Sequence, residues 1–155
     1  MNATSPTKVA FRIPGDDGTF DVETLWATRV GPDRYELDNS PFLAYSVSWR
    51  DVVLAPQDQD GMATFQSVVA KSGHRTLRVM LDPPFEEGNV SALEMEKLVG
   101  LGCSFEGSRS ELMSVDVPPE VNLYAIRAHL ISSGLQWEHA DPTYYELFPE
   151  EAPDA

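Results

Sequence analysis

His74, His129 and His139, the single Cys103 and a series of neighbouring carboxylates are the residues of this sequence that could carry chemistry. The histidines lie far apart, and no Cys or His stands at metal-ligand spacing from any of them, so no metal centre is expected. His74, inside Ser72-Gly73-His74-Arg75-Thr76, reads as a turn residue, and His129 as a residue on the polar side of a helix. Cys103 and a distant histidine have the residue types of a nucleophile pair. At the start of a strand, however, a lone cysteine reads as a small buried hydrophobe. Gly100-Leu101-Gly102 opens like a dinucleotide-binding turn, but no strand precedes it and Phe105 stands where the third glycine belongs. Walker A, G-x-S-x-G and H-E-x-x-H patterns are absent. Carboxylates pair at Asp16/Asp17, Asp58/Asp60, Glu86/Glu87, Glu94/Glu96 and Glu150/Glu151, and nothing in the pattern singles one pair out for acid–base work. No catalytic residue and no cofactor are therefore expected, and the chain reads as a non-enzyme.

The same carboxylates dominate the charge. Eleven Lys and Arg against 25 Asp and Glu give 155 residues a net charge of 11 − 25 = −14 and a pI near 4.4. Phosphate contacts need a basic surface, so a nucleic-acid partner is not expected. Anionic lipid is excluded on the same ground. A negative face attracts a basic protein and raises its on-rate. Glu86, Glu87, Glu94, Asp58 and Asp60 are the candidate partner-binding residues on that reading.

The elements that must position these groups fall into two halves. Residues 8–13 alternate, with Val9, Phe11 and Ile13 on one face of a strand, and Asp16-Asp17-Gly18 follows as a hairpin turn. Residues 20–30 place Phe20, Val22, Trp26 and Val30 on one side and Asp21, Glu23 and Arg29 on the other. Further short strands are predicted at 34–37, 44–49, 52–55 and 62–70, separated by turns. From residue 76 the order becomes strand, helix, strand, strand, helix, strand, the split βαβ order. Ser91 and Glu94 are predicted to form a capping box on the first helix, with Ala92, Met95 and Val99 facing the core and Gly102 beyond its end. Pro118-Pro119 is predicted to open the second helix, with Val121, Tyr124, Ala125, Ala128, Ile131 and Leu135 at helical spacing and Gly134 at its end. The expected fold is α+β: an N-terminal small antiparallel β-barrel-like sheet packed against a C-terminal ferredoxin-like (βαββαβ) half. The boundaries are 1–72, 73–146 and a disordered acidic tail at 147–155.

One cysteine cannot form an intramolecular disulfide, which fits a reducing compartment. The first eight residues, MNATSPTK, show no basic stretch followed by an apolar one, and no apolar run approaches the roughly 20 residues of a membrane span. A cytoplasmic location is expected, and the glycosylation patterns at Asn2-Ala3-Thr4 and Asn89-Val90-Ser91 read as chance.

The segments Glu23-Thr24-Leu25-Trp26-Ala27, Tyr35 to Phe42, Asp51-Val52-Val53 and Ser72 to Arg78 occur in an order that resembles the small bacterial family catalogued as domain of unknown function 4265. That resemblance implies no activity to transfer. Each segment also has a structural explanation, Asp38-Asn39-Ser40-Pro41 as a turn for instance. Arg75 and Arg78 stand out as cations in an acidic chain and are expected to pair with carboxylates such as Asp38 or Glu23. The function expected is protein binding, as an immunity protein that neutralises a cognate bacterial toxin by steric and electrostatic blocking. The alternative is a regulatory module that binds a small ligand or a cellular protein through the ferredoxin-like half.

Overall fold

The computed structural model describes residues 5–153, so Asn2-Ala3-Thr4 and the last two residues of the acidic tail lie outside the described residues. The chain is α+β, with two antiparallel sheets and three short helices. The first sheet is a meander of β1 (Pro6–Pro14), β2 (Phe20–Gly31), β3 (Arg34–Leu37), β4 (Val52–Leu54) and β5 (Ser67–Ala70), each beside the next. The β1–β2 hairpin runs from Pro6↔Thr28 to Pro14↔Phe20. Its turn is held by the Asp17 carboxylate, which accepts from the Thr19 N–H at 3.1 Å.

The burial of β2 is the reverse of the expected one. Glu23, Leu25 and Ala27 face the core with Val9, Phe11, Tyr35 and Leu37, while Phe20, Val22, Trp26 and Val30 are exposed. Period-two alternation offers two sets of side chains, and a strand buries only one of them. Glu23 decides between them: its carboxylate accepts the backbone N–H groups of Phe42, Leu43 and Ala44 at 2.6, 3.1 and 2.9 Å. A carboxylate with three such donors is as well placed inside as a hydrophobe.

The sheet does not close into the expected barrel. Residues 62–70 are a strand only over Ser67–Ala70, and the stretch before it meets β1 through one parallel bridge, Ala10↔Thr64. Asp58 causes the departure, because its Oδ1 accepts from Asp60 N and Met62 N, both at 2.9 Å, and folds the chain into a turn. Residues 44–49, expected as a strand, form part of an irregular loop whose Ser46 and Arg50 have φ of 68° and 73°. Such positive values interrupt an extended chain.

The second sheet has the order β7-β8-β6-β9, from β6 (Arg75–Met80), β7 (Ser104–Gly107), β8 (Leu112–Val117) and β9 (Gln136–Asp141), with all neighbours antiparallel. α1 (Val90–Gly100) lies between β6 and β7 in sequence, and α2 (Leu123–Ser133) between β8 and β9. Leu77, Val79 and Leu81 form one core with Met113, Val115 and Val117 and with Met95, Leu98, Leu123, Ile126 and Leu130 of the helices. Both helices therefore cover the same face.

Asn89, not Ser91, caps α1, accepting from Ala92 N at 2.9 Å, while the Ser91 hydroxyl donates to Pro83 O. α2 begins after Asn122 and buries Leu123, Ile126 and Leu130, leaving Tyr124 and Ile131 outside. α3 (Tyr144–Leu147), with a Thr143/Glu146 capping box, leads into the expected tail, and a 3-10 turn lies within the tail at Pro149–Glu151. No helix among the described residues is long and apolar enough to cross a membrane.

Candidate functional site

The signature segments meet at the seam between the sheets, and there they staple. The second sheet's polar face, with Thr76, Arg78, Ser114 and Asp116, is buried under residues 38–51. Arg78 donates to Ala44 O at 2.8 Å and to Leu43 O at 3.3 Å, and pairs with Glu138 at 2.9 Å. Arg75 donates to the carbonyls of Val117, Pro118 and Val121. Neither arginine pairs with Asp38 or Glu23, because buried carbonyls and β9 supply the nearer acceptors.

The turn residues act across the fold as well. Asn39 accepts from Trp26 N at 2.8 Å and donates to Glu106, which also accepts from Ser40 N at 3.0 Å. The His74 ring sits 2.8 Å from Asp116 and against Trp49, so it ties β6 to β8. A cleft of about 220 Å³ opens beside Asp38, Trp49, Glu106 and Asp116, with the last two carboxylates already engaged by these bonds.

A different arrangement surrounds β9, one of the two edge strands of the second sheet. Its alternation turns Trp137 and His139 towards α2 and Glu138 the other way, where the Tyr45 hydroxyl donates to it at 2.8 Å. Arg127 and Ile131 lie four residues apart on α2 and share a face, and α3 brings Thr143 and Tyr144 across the opening. Together these residues line a cavity of about 520 Å³, a volume in the range of small-molecule sites. The His139 ring packs 4.9 Å from Trp137 and 6.1 Å from Tyr144, and the Arg127 guanidinium lies 4.9 Å over Phe148.

This pocket holds polar atoms that no described residue satisfies. His139 is 6% exposed, and neither ring nitrogen has a hydrogen-bond partner among the described residues. The buried Nε of Arg127 also lacks one. No carboxylate lies within ion-pairing distance of Arg127 among the described residues, despite the chain's excess of acid. Burial first, and the Arg127 charge second, push the His139 value down to about 4, so the ring is neutral near pH 7. Buried polar groups normally find partners, and a cluster of orphans beside a cavity is the geometry of a binding site.

The residues expected to bind a partner do not converge on this pocket. Glu86 and Glu87 are exposed in the loop between β6 and α1, and Asp60 is exposed between β4 and β5. Asp58 is engaged by its own turn, and Glu94 pairs with Lys97 at 3.0 Å while His129 stands 3.7 Å away. Cys103 is buried, and burial pushes its thiol up to about 11. The signal for the β9 pocket was the alternation Trp137/His139 together with the Arg127/Ile131 spacing, which places four chemically distinct side chains on facing surfaces.

A family model described as domain of unknown function (DUF4265) matches residues 23–138. No curated protein is detectably similar in sequence. In three dimensions the chain is similar to the crystal structure of a hypothetical protein from Neisseria gonorrhoeae, with a TM-score of 0.71 over 92% of this chain and 99% of that one. At 17% identity that likeness shows the fold alone.

Proposed function

The chain belongs to the family described as domain of unknown function 4265, and from that footing we propose that it is a non-enzymatic, regulatory module that holds a small ligand in the β9 pocket. His139 carries this reading: an imidazole this buried, with both nitrogens unpartnered, costs stability unless something completes its hydrogen bonds. The commitment of Cys103 to the interior and of His74 to Asp116 supports binding over catalysis. We read the second half as ferredoxin-like on its element order and its strand order β7-β8-β6-β9. Cytoplasmic residence belongs to the same proposal and rests on the lone cysteine.

Thermal denaturation against a library of small metabolites tests the reading. A ligand should raise the midpoint of the natural protein and not that of Ile131→Trp, which fills the pocket from an exposed position. A library without effect, or ligands indifferent to Ile131→Trp, would count against it.

The second reading, an immunity protein that blocks a basic toxin, draws on the net charge of −14 and on exposed Glu86, Glu87 and Asp60. The exposed apolar stripe of β2 does not add to it, because Lys8 lies over Trp26 and Arg12 over Phe20 and both bring positive charge. Affinity capture from native cells at low and high salt tests it. One stoichiometric basic partner, released by salt, is the expected result, and no partner at either salt removes the reading.

A further inference from the structure

We propose, resting on the reading of the β9 pocket as a ligand site, that its occupant is a planar aromatic carboxylate. Its acid group is received by the Arg127 guanidinium beside His139, and its ring lies against Trp137 and Tyr144.

The cavity leaves one positive charge unmatched among the described residues. The carboxylates around it are engaged: Glu138 by Arg78 and the Tyr45 hydroxyl, Glu146 by Thr143 N, and Glu151 by the Tyr144 hydroxyl. Among the described residues Arg127 has no carboxylate within ion-pairing distance, and its buried Nε has no partner. A guanidinium presents parallel N–H donors that fit a carboxylate. His139 is neutral near pH 7, with both ring nitrogens closed to solvent, so the polar end of the cavity carries the single positive charge of Arg127. One carboxylate balances that charge. A phosphate dianion leaves negative charge uncompensated in a chain already at −14.

The remaining lining is aromatic and apolar. Trp137, Tyr144 and Tyr45 present rings and Ile131 an aliphatic side chain, around a volume of about 520 Å³. Aromatic walls favour flat ligands that stack or meet them edge-on.

The test uses the whole chain and three probes: indole-3-carboxylate, its neutral amide indole-3-carboxamide, and cyclohexanecarboxylate. Binding is followed by calorimetry and by the ring proton resonances of His139. Indole-3-carboxylate should bind saturably and roughly tenfold or more tighter than the amide, the size of one charged hydrogen bond. It should shift the His139 resonances and outcompete cyclohexanecarboxylate. Arg127→Gln should reduce the acid to the affinity of the amide, and the acid–amide comparison on the natural protein needs no variant to fold. Equal binding of acid and amide overturns the proposal while leaving a ligand pocket in place, and equal binding of the two acids overturns its aromatic part. If no probe binds at millimolar concentration the proposal falls, and the metabolite library then decides separately whether the pocket binds anything.

Discussion

The Lys71 ammonium stands 2.6 Å from the Asp141 carboxylate, joining the residue after β5 to the last residue of β9. The same nitrogen is 2.6 Å from Asp51, so two buried carboxylates share one cation across the seam. Ser48 completes the cluster, donating to Asp141 at 2.6 Å and lying 2.7 Å from the Thr76 hydroxyl. Burial pulls the Lys71 value down, but hydrogen bonds to Asp141 and Asp51 outweigh it and hold the ammonium above its usual range. Burial wins at Asp141, whose value is raised in spite of the pair.

Lys71→Met should therefore cost more than an ordinary surface ion pair, because it takes the shared cation from two buried carboxylates. About 2 kcal/mol is expected in urea unfolding, less than for a fully buried pair because the Lys71 side chain is itself half exposed. Asp141→Asn on the Lys71→Met background should recover part of that loss. The sign with pH follows from the raised Lys71 value. Its contribution is intact below the ordinary lysine value of 10.5 and fades as pH rises through the folded one.

Glu23→Ala should lower stability by about 2 kcal/mol, since it orphans three backbone N–H groups, of which that of Ala44 is buried. Glu23→Gln keeps one acceptor oxygen and should cost less. Chemical denaturation of the two variants separates these outcomes, and a negligible effect of Glu23→Ala would place the side chain outside the core.

Gly102 and Gly88 form a controlled pair. Both have positive φ, 105° and 84°, yet a Cβ on Gly102 would stand 2.8 Å from Val121 Cγ2 while one on Gly88 meets nothing within 4 Å. Gly88→Ala should cost about 1 kcal/mol for backbone strain alone, and Gly102→Ala about 2 kcal/mol or more, in thermal unfolding. Equal costs would mean that Val121 moves aside freely.

What could be read from residue order depended on whether one local rule acted alone. The β1–β2 hairpin is legible because alternation and Asp16-Asp17-Gly18 agree. The core face of β6, with Leu77, Val79 and Leu81, is legible for the same reason. Where two rules compete, the weaker-looking one can win. Glu23 turned β2 over, Asn89 displaced Ser91 as cap, and Leu123/Ile126/Leu130 displaced the set containing Tyr124 and Ile131. Residues 38–51 cover a sheet face with carbonyl groups and a few side chains, and no periodicity announces such a loop. The β9 pocket is legible only in its walls, through the Trp137/His139 alternation and the Arg127/Ile131 spacing. Its meaning depends on α3 folding across His139, and α3 is a single turn in a stretch where the sequence predicts no element.

His139 links the stability of the fold to pH. Its folded value is held at about 4 against 6.5 for the free side chain, by burial first and Arg127 second. Between those values the unfolded chain takes up a proton that the folded chain refuses. Stability is then fully present above pH 6.5 and falls as pH drops towards 4, with a limiting slope of about 1.4 kcal/mol per pH unit. Asp116 and Asp141, whose values burial raises, act in the opposite sense at the acid end, and they are common to the natural protein and to His139→Phe. The difference between the two proteins therefore isolates His139, and His139→Phe should lose this slope while filling the ring's place. A direct measurement is the midpoint of the His139 ring resonances in the folded protein. Titration near 6.5, or equal slopes in the two proteins, would mean that Trp137 and Tyr144 do not keep water from the ring, and the orphaned imidazole that marks the pocket would then be solvated.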